Sequence, residues 1–184
     1  MRRIVLVLAL ALITALPAVT AARAAGPVVL TVTGEIERTN RGPFDPFTDS
    51  LFAALQETFE RAHELTLDDL AALPQETVEV AYPNWPGPVT VTGPTLASVI
   101  DLVGAKADRV LVQAVDGYAP AFRLSEVRAG TFVLATASDG KPLPLGGRGP
   151  LWLVFPAGSY AGQTAEDDSG LAWAVFHLKI TTGE

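Results

Sequence analysis

Residues 65–105 read LTLDDLAALPQETVEVAYPNWPGPVTVTGPTLASVIDLVGA, and this stretch decides the fold class. Thr66-Leu67-Asp68-Asp69 has the spacing of a capping box with Asp in place of Glu, which predicts a short helix from Leu67 to Leu73, stopped by Pro74. Thr77 to Ala81 is rich in β-branched residues and reads as a short strand. Tyr82 to Pro88 holds three prolines in seven residues and cannot be regular structure. Val89 to Thr92 is again strand-like. Thr95 to Val103 follows as a helix, with Gly104 as its C′ residue.

Outward on the N-terminal side, Val28 to Ile36 alternates and reads as a first strand. Arg38 to Asp45 is a polar loop broken by Gly42-Pro43 and Asp45-Pro46. Thr48 can cap a helix carrying Leu51, Leu55, Phe59 and Ala62 at helical spacing, with Phe52 widening the stripe and His63 near its end. On the C-terminal side, Arg109 to Val115 and Tyr118 to Phe122 flank an Asp116-Gly117 turn. Thr131 to Ala137 and Leu143 to Leu145 flank Asp139-Gly140 in the same way. Gly146 to Pro150 is a glycine-rich loop without the lysine of a phosphate-binding loop. Leu151 to Phe155 reads as a buried strand, Ala157 to Gly170 as a polar loop and Leu171 to Thr181 as the last strand. The expected class is α+β, mostly antiparallel sheet or barrel pieces, with about eight strands and three or four helices.

Residues 1–24 read as a cleaved export signal. Arg2 and Arg3 open an apolar run from Ile4 to Leu16, too short for a bilayer span, and Ala22-Arg23-Ala24 fits a small-x-small cleavage site. The expected mature chain, 25–184, is one domain in the periplasm. Loss of Arg2, Arg3 and Arg23 takes the formal charge from −7 to −10, which disfavours nucleic acid and anionic membranes as partners. The 184 residues contain no cysteine, which excludes disulfides, thiolate metal sites and cysteine nucleophiles. His63 and His177 are the only histidines, and both read as structural. His177 is expected on the strand face opposite Phe176 and Leu178.

No catalytic constellation stands out. Aromatic residues in loops do: Trp85 among prolines, Tyr118 after the Asp-Gly turn and Tyr160 in a Gly-Ser loop. Loop aromatics offer a flat ring a large contact area at low entropic cost. Asp116, Asp139, Asp167, Asp168 and Arg148 lie in the same loops. Aromatic faces beside carboxylates suit a planar heterocycle with adjacent N–H donors, such as an amino-pyrimidinone edge.

The order of LTVTGEIERTN, LTLDDLAALPQETVEV, WPGPVTVTGPTLASVIDLVGA, VLVQAVDGYAPAF, FVLATASDGKPLPLGGRGPLWLVFP and WAVFHLKI resembles the oxidoreductase molybdopterin-binding domain of the sulfite-oxidase type. The resemblance runs from Val28 to Ile180 and implies that family's mixed fold, with the pterin end of the cofactor held in loops. Catalytic members hold molybdenum through a cysteine in the segment after the strand at Thr77 to Ala81. Here that segment is Tyr82-Pro83-Asn84-Trp85, so molybdenum is not expected. The basic cluster of an oxyanion-handling member is not apparent either, since Arg148 stands nearly alone. A narrower likeness is to small cysteine-free exported members with an insertion like 39–62. These look like periplasmic pterin-binding proteins that report to a membrane-bound cyclic-di-GMP synthase/phosphodiesterase. The resemblance then implies a reduced pterin held non-covalently. Trp85, Tyr118 and Trp173 would be its ring contacts, Asp116 and Asp168 would meet the amino-pyrimidinone edge, and Arg148 and Ser169 would be polar contacts. The insertion would be a partner surface or a lid. The competing expectations are a molybdopterin-dependent oxidoreductase with a non-cysteine metal site, and a ligand-free interaction domain on the same fold.

Overall fold

A computed structural model describes residues 26–183. The export-signal reading lies outside the described residues. The elements are β1 (Val28–Gly34), α1 (Ser50–Ala54), β2 (His63–Thr66), α2 (Leu67–Ala71), β3 (Gln75–Val80), β4 (Val89–Pro94), α3 (Leu96–Val103) and β5 (Arg109–Ala114). They continue with β6 (Ala121–Arg123), α4 (Leu124–Ala129), β7 (Val133–Ala135), β8 (Ala137–Ser138), β9 (Lys141–Pro142), β10 (Trp152–Val154) and β11 (Val175–Thr181).

The strands form three open sheets, ordered β2-β1-β11-β5-β6, β10-β7 and β3-β4-β8-β9. Among the strand pairs of the described residues, only β1–β11 is parallel. The chain is therefore α+β, mostly antiparallel and with few helices, and no sheet closes into a barrel. One apolar cluster ties the sheets together, with Leu30, Val112 and Leu178 from the first, Leu134 and Leu153 from the second, and Val91 from the third. Among the described residues no helix is long and apolar enough to cross a membrane.

Local chemistry explains the helices that match expectation. In α2 the Thr66 side chain accepts from Asp69 N–H at 3.1 Å, and the Asp69 carboxylate accepts from Thr66 N–H at 2.8 Å, so aspartate completes the capping box. In α3 Leu96, Val99, Ile100 and Val103 form the buried stripe, Thr95 caps the start, and Gly104 ends the helix at φ 65°. β4 needs Gly93, where a Cβ would lie 2.2 Å from Leu134 O.

Several expectations are corrected. The helix read over Thr48 to Ala62 is one turn, Ser50–Ala54, with Asp49 and not Thr48 at the N-cap position and no side-chain capping bond. Gln56 turns left-handed at φ 59°, Phe59 folds back onto Phe52 at 5.3 Å, and Ala62 pairs with Arg41. Tertiary packing thus overrides the apolar spacing. His63 consequently opens strand β2 and does not sit at a helix end. The last strand starts only at Val175, because Ala174 has φ 52°. The second arm of each hairpin is displaced, to Ala121–Arg123 and Lys141–Pro142. Helix α4 was not anticipated; it fills the step between β6 and β7, and Glu126 accepts weakly from Arg123 N–H at 3.3 Å.

His177 is buried between β1 and β5, with Nε2 2.7 Å from Thr33 Oγ1 and Nδ1 2.7 Å from Gln113 Oε1. A glutamine oxygen can only accept, so Nδ1 carries the proton and Nε2 accepts from Thr33. A bulge at Phe176 breaks the strict alternation expected there. Both Phe176 and His177 consequently meet Phe52, at 5.1 and 5.0 Å. Burial pushes His177 down to about 3. Segment 39–62 thus packs on the five-stranded sheet through Phe52, and the Lys179–Glu57 ion pair (2.7 Å) fastens its far end.

Candidate functional site

Four loops converge beside the β10 edge: the proline-rich 81–88 segment, the Asp116-Gly117 turn, the glycine-rich loop at Arg148 and the 155–174 segment. Trp85, Asp116, Tyr118, Arg148, Asp168, Ser169 and Trp173 line one cavity of about 330 Å³ together with Leu171. All seven residues singled out from the sequence are therefore brought together. The volume lies at the low end of the range for small-molecule pockets, ~300–1,000 Å³, which suits one bicyclic ring. No residue of segment 39–62 lines this cavity.

Each side chain has a positioning cause. Trp85 Nε1 donates to Asp168 Oδ2 at 3.1 Å. Asp116 Oδ1 accepts from Tyr118 N–H at 3.0 Å, in an Asx turn closed by Gly117 at φ 88°. The Tyr118 hydroxyl donates to Ser169 O. Asp167 Oδ1 accepts from Ser169 N–H at 3.0 Å and Ser169 Oγ at 2.5 Å, and these bonds hold its carboxyl below the usual range. Burial, with Asp167 nearby, pushes the Tyr118 phenol up. Asp116 and Asp168 each commit one oxygen in this way, and the other makes no hydrogen bond among the described residues.

Arg148 lies over the faces of Trp152 and Trp85, 4.3 and 5.7 Å from the ring centroids, and is in no ion pair among the described residues. Trp152, behind it, is buried, and its Nε1 has no partner among the described residues. Sequence reasoning missed Gln163, which organises the 157–170 loop. It donates to Tyr82 Oη at 3.2 Å and Asp167 O at 3.0 Å, and accepts from Ser159 N–H at 2.9 Å. Two residues noted in the sequence lie elsewhere. Tyr160 packs in the Phe122–Phe132–Phe155 cluster, and Asp139 accepts from Thr90 N–H at 3.2 Å in the β8–β9 turn.

The donor set does not suit a molybdenum centre. The segment where the sequence resemblance would put a thiolate holds Tyr82, whose hydroxyl donates to Phe155 O at 2.8 Å, and Trp85, whose Nε1 donates to Asp168. Carboxylate, indole and guanidinium are poor substitutes for a soft sulfur ligand.

No family model matches the chain, and no curated protein matches it. Among solved structures it is similar to the sulfane dehydrogenase SoxCD from Paracoccus pantotrophus, with a TM-score of 0.58 and 16% identity. The match covers 84% of this chain and 38% of that chain, so this protein spans under two-fifths of its neighbour. The likeness is one of fold, and it supports a distant molybdopterin-oxidoreductase-like architecture.

Proposed function

We propose that the protein is a periplasmic, non-catalytic pterin-binding protein. It takes a reduced pterin non-covalently in the 330 Å³ cavity. The observation that carries this reading is the pairing in one cavity of aromatic side chains (Trp85, Tyr118, Trp173) with two carboxylates that each have an oxygen without a hydrogen bond among the described residues. An amino-pyrimidinone edge presents adjacent N–H donors, and a carboxylate accepts them with charge assistance. The fold likeness supports an origin in a cofactor-holding scaffold, and the absence of any cysteine supports a ligand without a metal.

In this reading ligand state is passed to the periplasmic domain of a membrane-bound cyclic-di-GMP synthase/phosphodiesterase. Segment 39–62 is the surface offered to it, since Phe47 stands 91% exposed there. Leu55 of that segment reaches the turn that carries Asp116, its Cδ2 lying 3.3 Å from where a Cβ on Gly117 would be. Acid extraction of the purified protein, followed by oxidation, tests the ligand. A fluorescent pterin in near-stoichiometric yield is expected. Stoichiometric molybdenum by elemental analysis, or an extract free of pterin, would overturn the reading.

A further inference from the structure

A second hollow, of about 700 Å³, opens where β5, β6 and α4 meet, and it shares no residue with the pterin cavity. Three arginines line it: Arg109 from β5, Arg123 from β6 and Arg128 from α4. Asp108 is the one carboxylate residue in the lining, and its Oδ1 already accepts from Gly183 N–H at 2.9 Å. This is a concentration of positive charge in a chain whose formal charge is −7.

Two of the three arginines, Arg109 and Arg123, are in no ion pair among the described residues. Arg109 and Arg123 are direct partners in the β5–β6 ladder, so two guanidiniums face the same side of the sheet at adjacent positions. Like charges directly opposite are destabilising unless a counter-charge bridges them. Neither is in an ion pair among the described residues, whereas Arg128 is held by Asp101 at 2.9 Å. Arg109 Nε is in addition buried without a hydrogen-bond partner. A buried N–H without an acceptor costs stability that an incoming acceptor restores. Hollow, paired like charges and orphaned donor all call for the same thing, a ligand that brings oxygen acceptors and negative charge.

We propose that this hollow is a binding site for an oxyanion group, a phosphate or a carboxylate, held between the guanidiniums of Arg109 and Arg123. Arginine forks match both groups with paired N–H···O bonds. Ser125 lines the same hollow and adds a hydroxyl donor. The site is independent of the pterin reading and stands if that reading fails.

The test is thermal unfolding of the full chain at constant ionic strength, with chloride replaced stepwise by inorganic phosphate or, in a second arm, by succinate. A ligand of the native state raises the midpoint with concentration by mass action. A saturable rise is expected in at least one arm, and the stronger arm identifies the group. R123Q, at an exposed position, should weaken the apparent affinity at least tenfold. R123E should raise the midpoint without added anion, by pairing with Arg109, and should abolish the anion-dependent rise. No saturable rise in either arm, or a rise that survives R123E in a folded protein, would overturn the proposal.

Discussion

Trp85 and Asp168 lie 83 positions apart and meet in one hydrogen bond of 3.1 Å. That bond couples a proposed stacking surface to a proposed acceptor, so it has a testable signature. Trp85→Phe keeps an aromatic ring but removes the donor, and should weaken pterin binding about tenfold, the scale of one hydrogen bond to a charged group. Fluorescence titration with a reduced pterin measures this, and Asp168→Ala should cost at least as much. His177 gives a second expectation. Its pKa falls to about 3 in the fold, against an ordinary value of 6.5, so the unfolded chain binds the extra proton between those values. The contribution is complete above pH 6.5 and is lost as pH falls toward 3. Between pH 6.5 and 5 the loss is roughly 1.5 kcal/mol. Urea midpoints of the native protein should decline more steeply over that window than those of His177→Gln. Loop aromatics beside aspartates pointed to Trp85, Asp116, Tyr118 and Asp168, which line one cavity, and equally to Tyr160 and Asp139, which lie elsewhere. Gln163 was not legible, because a glutamine in a polar loop carries no signal until its partners Tyr82 and Asp167 are in place.

At the scale of elements, α2 and α3 were legible because their caps are local chemistry. Thr66→Ala should remove the reciprocal capping bonds and cost about 1 kcal/mol in a denaturant titration. Helix α1 was legible only in its first turn. Of the apolar stripe, Leu51, Leu55 and Phe59 are not buried, whereas Phe52, which widens it, is buried and gripped by Phe59, Phe176 and His177. Long-range aromatic packing decides the segment, and no window of sequence contains it. Phe52→Ala should therefore destabilise the protein by roughly 3 kcal/mol and loosen segment 39–62, read as faster amide exchange there. The same reasoning explains the bulge at Phe176. An alternating strand was expected, and the extra residue turns a second ring toward the inserted segment.

For the whole molecule, the two hollows differ in what the sequence disclosed. The loop cavity collects residues that already look chemical. The arginine hollow depends on the β5–β6 register, which alone sets Arg109 against Arg123. The fold class was legible from the interleaving of short helices and strands, whereas the openness of the sheets and the parallel β1–β11 pairing depend on contacts between opposite ends of the chain. What unites these observations is a scaffold distantly like a molybdopterin oxidoreductase whose loop cleft brings aromatic rings and carboxylates together. Calorimetric titration of the purified protein with a tetrahydropterin tests that most directly. Saturable one-to-one binding that disappears when Trp85 and Asp168 are both replaced by alanine is the predicted result. A flat titration of folded, ligand-free protein would contradict it.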